Sequence, residues 1–115
     1  MSGASWIGVD FDGTLAVYDP QREGLGEPVP EMVARVKDWL VRGQRVKIVT
    51  AQASGGYERA HMAVERIKAW CLEHIGQRLE VTCSKDYSML ELWDDRAVRV
   101  EANTGRRLSP SIMEA

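Results

Sequence analysis

Trp6-Ile7-Gly8-Val9-Asp10-Phe11-Asp12-Gly13-Thr14-Leu15 is the stretch on which the fold turns. Its first four residues are a continuous apolar run, the pattern of a strand buried on both faces in a parallel sheet. The run stops on polar residues and a glycine. Open α/β sheets bind their ligands at this carboxyl edge. Asp10 and Asp12, two residues apart at a strand end, can point into one small volume, where they repel unless a cation or a proton intervenes. One carboxylate is then free to attack while its neighbour carries a proton. Gly13 lets the chain leave the strand in a conformation closed to residues with a side chain and brings backbone N–H groups near a bound anion. Asp and Gly are also common where a strand merely ends in a turn, so the motif gains meaning only from the rest of the chain.

Working outward, residues 16–28 are rich in Gly, Pro and charge and read as an exposed loop too short for an inserted domain. Pro30 suits a first helical position. From there Met32, Val33, Val36, Trp39 and Leu40 recur at helical spacing up to Gly43, predicting a one-sided helix over a sheet. Val46-Lys47-Ile48-Val49 reads as a second strand ending at Thr50-Ala51. After the Ser54-Gly55-Gly56 break, Ala60, Ala63, Val64, Ile67, Cys71 and Ile75 form the stripe of a longer helix ended by Gly76. Leu79–Cys83 is a third strand and Met89–Trp93 a fourth, ending on Asp94-Asp95. Ala97–Val100 is a short fifth, and Asn103-Thr104-Gly105 marks a turn. His61 and His74, thirteen apart, lack ligand spacing and read as ordinary helix residues.

The 115 residues fit one domain, 1–115. An apolar fraction of 44% with 28% charged residues is that of an ordinary globular protein, and a net charge of −2 does not indicate nucleic-acid binding through the overall field. Cys71 and Cys83 read as reduced thiols. With no signal-like start and no long apolar run, a cytoplasmic protein without a membrane partner is expected.

In a parallel sheet, Asp10, Asp12, Thr50, Asp94 and Asp95 share one edge, with Lys85 just after the third strand. Four carboxylates around one point call for a hard cation, and oxygen ligands with room for water and phosphate suit Mg²⁺. The Thr50 hydroxyl and the Lys85 ammonium are what phosphoryl oxygens need as they gain charge.

With Asp10-Phe11-Asp12-Gly13-Thr14, Lys47-Ile48-Val49-Thr50, Lys85 and Leu92-Trp93-Asp94-Asp95, the chain resembles the haloacid dehalogenase superfamily over residues 6–95, closest to short, capless bacterial and phage-type members. The resemblance implies a Rossmann-like, three-layer parallel sheet of four to five strands with β1 central and helices on both faces. It also implies a Mg²⁺-dependent phosphatase for phosphate monoesters. Asp10 would form an aspartyl-phosphate and Asp12 would act as acid and base. Asp10, Asp94, Asp95 and the backbone carbonyl of Asp12 would hold Mg²⁺, and Gly13, Thr14, Thr50, Ala51 and Lys85 would bind phosphate. The position after Thr50-Ala51, an arginine in many relatives, is Gln52 here. Lys85 stands too close to Asp94 for a full helix between them. The absence of a cap implies an open site for an accessible macromolecular phosphate end, or for a small ester enclosed by a second copy of the chain. The alternatives are a weakly active metal- and phosphate-binding accessory module, or a phosphoacceptor receiver domain. A receiver, however, carries its paired acids and its acceptor Asp on different strands.

Overall fold

The computed structural model describes residues 5–108 and is an α/β structure with a four-stranded, all-parallel sheet. In chain order the elements are β1 (Trp6–Val9), α1 (Pro30–Val41), β2 (Arg45–Val49), a short 3-10 turn (Ala51–Ala53), α2 (Tyr57–His74), β3 (Glu80–Thr82) and β4 (Met89–Trp93). The sheet order is β3-β2-β1-β4, so β1 is an inner strand as expected, with Val9 registered against Ile48 on one side and Trp93 on the other. No helix among the described residues is long and apolar enough to cross a membrane.

The strand pleat decides where the core lies. Ile7, Val9, Val46 and Ile48 point to one face and join Met32, Val33 and Val36 of α1 and Ile67, Trp70 and Cys71 of α2 in a single buried cluster. Pro30 opens α1, and Gly43, at φ +83°, closes it by donating to the carbonyl of Leu40. In α2 the anticipated stripe is only half-buried at Ala60, Ala63 and Val64, and Trp70 is a core residue outside it. The Trp70 ring packs edge-on against Phe11 with centroids 4.9 Å apart, and its Nε1 donates to the carbonyl of Gly26 at 2.9 Å.

That bond corrects the reading of residues 16–28 as a wholly exposed loop. Leu15 and Ala16 are fully buried, and the N–H of Val17 donates to the carbonyl of Glu27, so the loop is pinched shut at its base. Gly26 has no room for a side chain, since a Cβ there would stand 1.8 Å from the carbonyl oxygen of Val17.

The opposite face of the sheet carries Trp6, Gly8 and Lys47. Lys47 lies over the Trp6 ring at 4.4 Å and pairs with Glu80 at 3.2 Å. The expected helix on this face is not found among the described residues. Residues 83–88 must pass from β3 to β4 across two intervening strands, roughly 14 Å sideways at 4.8 Å per strand. Six residues reach about 20 Å only when extended, so no length remains for a helix. Asp86 sits on this face, its Oδ1 accepting from Trp6 Nε1 at 3.0 Å. The expected fifth strand also fails to form. Val100 makes only an isolated bridge to Arg107, around a turn in which Asn103 and Gly105 take positive φ.

Candidate functional site

Asp10 follows the last residue of β1, and its N–H donates to the carbonyl of Trp93 at 2.9 Å. This pairing with β4 sets Asp94 and Asp95 beside it. One carboxylate oxygen from each of Asp10, Asp94 and Asp95 lies within 4.8 Å of the others. Two turns of backbone geometry hold the cluster. The N–H of Arg96 donates to Asp94 Oδ1 at 2.7 Å, and the φ of +86° at Gly13 brings its Cα so close that a Cβ would stand 2.7 Å from Asp95 Oδ2.

Thr14 ties the acids together. Its Oγ1 lies 3.3 Å from Asp10 Oδ2 and 3.2 Å from Asp95 Oδ1, and accepts from the Asp95 N–H at 3.1 Å. A hydroxyl has one proton, so it donates to one carboxylate at a time. Thr14 was expected to bind phosphate; here its side chain is occupied with the carboxylates. The backbone donors of the expected phosphate cradle are also taken, Gly13 N–H by the carbonyl of Ala16 and Thr14 N–H by that of Phe11. Turn closure satisfies them before any ligand arrives.

Asp12 points elsewhere. Its Oδ2 accepts from Gln52 Nε2 at 2.7 Å, and its carboxylate is not among the three clustered ones. The sequence offered Gln52 only as a missing cation, yet it is the residue that separates Asp12 from the acidic cluster. Its place directly after Thr50-Ala51, beside a strand end, was the available signal. Thr50, 4% exposed, uses its hydroxyl oxygen to cap the Gln52 N–H at 3.1 Å, leaving the hydroxyl proton to donate. Ala51 begins the 3-10 turn and is exposed. Lys85 is not drawn into this group. It is exposed and makes no hydrogen bond or ion pair with a described residue, because the chain is already crossing toward Asp86 and the start of β1.

Burial raises the carboxyl of Asp10 from the ordinary 3.8 to about 6, with the charges of Asp94 and Asp95 adding to the effect. A folded state that holds this proton more tightly than the unfolded chain loses stability as pH rises from 3.8 toward 6, and the loss is complete above that. The Asp94→Asn protein, relieved of the charge with the larger effect on Asp10, should therefore melt higher than the parent near neutral pH in EDTA. The gain is on the order of 1 kcal/mol once screening at this half-exposed site is allowed for. It should shrink toward zero below pH 3.8, where Asp10 is neutral in both states. Thermal melts across this range test the idea, and a difference that does not change with pH would sink it.

The donor set fits a hard divalent cation: three carboxylates in reach of one point, all-oxygen, half-open to water, with charge repulsion that a cation would offset. No protein-family model matches the chain, and no curated protein does. Among solved structures, a conserved protein from Bacteroides thetaiotaomicron is similar in fold, at 24% identity over 80% of this chain and 76% of that one, with a TM-score of 0.53.

Proposed function

We propose that the chain is a Mg²⁺-dependent phosphatase acting on phosphate monoesters, of the kind its motifs resemble. The observation that carries this reading is the division of the carboxylates: Asp10 clusters with Asp94 and Asp95, while Asp12, two residues on, is held apart by Gln52. On this reading one acid serves as the nucleophile beside a cation site and the other as a separate proton carrier. Asp10, Asp94, Asp95 and the backbone carbonyl of Asp12 would hold Mg²⁺, which supplies charge neutralisation for the phosphoryl oxygens.

An Asp10 carboxylate oxygen attacks phosphorus, and the bond from phosphorus to the leaving oxygen breaks as Asp12 gives that oxygen its proton. Gln52 donates to Oδ2 of Asp12, so Oδ1 is the oxygen left to carry the proton. Water then attacks phosphorus, Asp12 takes its proton, and the bond to Asp10 breaks to release phosphate. The Thr50 hydroxyl has a proton free to meet a phosphoryl oxygen. Lys85 serves this reaction only if the ligand draws its unengaged ammonium inward. This scheme needs the carboxyl edge of the sheet and not a second helical layer.

A phosphatase assay on an aryl phosphate with and without Mg²⁺ tests the reading. Hydrolysis that appears with Mg²⁺ and vanishes in EDTA is expected; none on any phosphate ester in Mg²⁺ would overturn it. A second reading, a metal- and phosphate-binding accessory module with little turnover, is favoured by the outlying position of Lys85, and that outcome of the assay would support it.

A further inference from the structure

The chain's arginines are mostly spent on carboxylates. Arg22, Arg35, Arg42, Arg45, Arg78 and Arg106 each pair with a Glu or Asp at 3.5 Å or less. Arg59 and Arg66 differ: neither has a hydrogen bond or ion pair with a described residue. They stand seven residues apart on α2, two turns or about 10 Å along one face. Both line the same depression. An outer hollow of about 550 Å³ contains Arg59, Met62, Arg66 and Gln52. An inner hollow of about 260 Å³, between α2 and the pinched loop, contains Arg66 and Gln52 again and ends on Asp12. The two are one groove running from the proposed proton carrier out along α2. Its inner part carries both signs, Asp12 and Asp19 with Arg22 and Arg66; Asp19 accepts from the Gln21 N–H at 2.9 Å and Arg22 is paired with Glu27 at 3.2 Å. The outer part carries only Arg59 and Arg66 as charged residues.

We propose that this groove binds a second phosphoryl group of the substrate, so that the preferred ligand is a phosphate monoester carrying another phosphate, the second seated against Arg66 and Arg59. Guanidinium groups bond phosphate through two parallel N–H donors, and of the three described arginines whose side chains have no such partner, Arg59, Arg66 and Arg96, the first two share one hollow. In a chain of net charge −2, general attraction of anions does not account for them. The proposal rests on the phosphatase reading for the reactive end of the ligand, whereas the groove itself is tested by binding alone.

Two sources share this chemistry: a nucleoside bisphosphate and the end of a phosphorylated oligonucleotide. Calorimetry on the Asp10→Asn protein in Mg²⁺ compares both with the matching nucleoside monophosphate. At least one of the two should bind about tenfold more tightly than the monophosphate, the scale of one charge-assisted pair, and the tighter of them identifies the source. In the Arg59→Ala/Arg66→Ala background the advantage should disappear, whereas Arg78→Ala, which removes a paired arginine from the chain, should leave it intact. Equal affinity for all three ligands, or an advantage that survives the double substitution, would overturn the proposal. Selective binding, together with a parent protein (Asp10 intact) that hydrolyses no phosphate ester in Mg²⁺, would overturn the phosphatase reading alone.

Discussion

The Asp10→Asn protein is expected to hydrolyse no phosphate ester above background while remaining folded. Its amide has no charge to place on phosphorus, and no other carboxylate can take over: Asp94 and Asp95 follow a different strand, and Asp12 is turned aside onto Gln52. Loss of a nucleophile that forms the covalent intermediate removes both halves of the reaction, so the deficit should reach the detection limit for good and poor leaving groups alike. Folding is a separate matter. The raised pKa shows that the Asp10 charge is held against burial and against Asp94, so its removal should not lower the melting temperature near neutral pH. Near-parental turnover in the Asp10→Asn protein would refute the mechanism. An inactive protein that has also unfolded would refute the account of the cluster's electrostatics.

Asp12→Asn is expected to behave differently, slowing hydrolysis of alkyl phosphates by on the order of 10² to 10⁴, the usual worth of a general acid and base. The first half of the reaction needs the acid only where the leaving oxygen is a poor one. With an activated aryl phosphate, the phospho-Asp10 species should form almost as fast as in the parent and then persist, because water is no longer deprotonated. Rapid-quench detection of a burst of leaving group, followed by slow turnover, reads this directly. The same loss for alkyl and aryl esters, with no burst, would place Asp12 outside proton transfer.

The strands and helices were legible because each carries its own local pattern: β-branched or apolar runs for β1 and β2, the Pro30 to Gly43 frame for α1, glycines on both sides of α2. The convergence of Asp10 with Asp94 and Asp95 was legible too, since parallel strands share an edge. What escaped reading depends on where side chains and backbone donors find partners. Gly13 and Thr14 looked available for phosphate, and only the closed turn reveals that Ala16, Phe11 and the carboxylates use them first. Trp70 stands three residues after Ile67 and joins the core, but no local pattern connects its indole N–H with the carbonyl of Gly26, 44 positions away. Gln52 looked like a loss, and its bond to Asp12 spans 40 positions that no local pattern connects. Ala97–Val100 has strand-like composition but gains only the isolated bridge from Val100 to Arg107, where the chain turns back on itself after β4.

The placement of β4 beside β1 also orders events during synthesis. Thr14 and Asp95, which share a hydrogen bond in the finished site, are 81 positions apart. At translation rates of about 5–20 residues per second, the outer edge of β1 waits roughly 4–16 s for its partner. Through that interval the half-made sheet offers an unpaired apolar edge, the kind that recruits strands from other chains. Asp10 and Asp12 close that edge at one end, so two unfinished chains meeting there would bring like charges together. Asp10, one of the carboxylates that crowd one another in the completed protein, is thus, until β4 arrives, a charge standing at the end of an open strand edge.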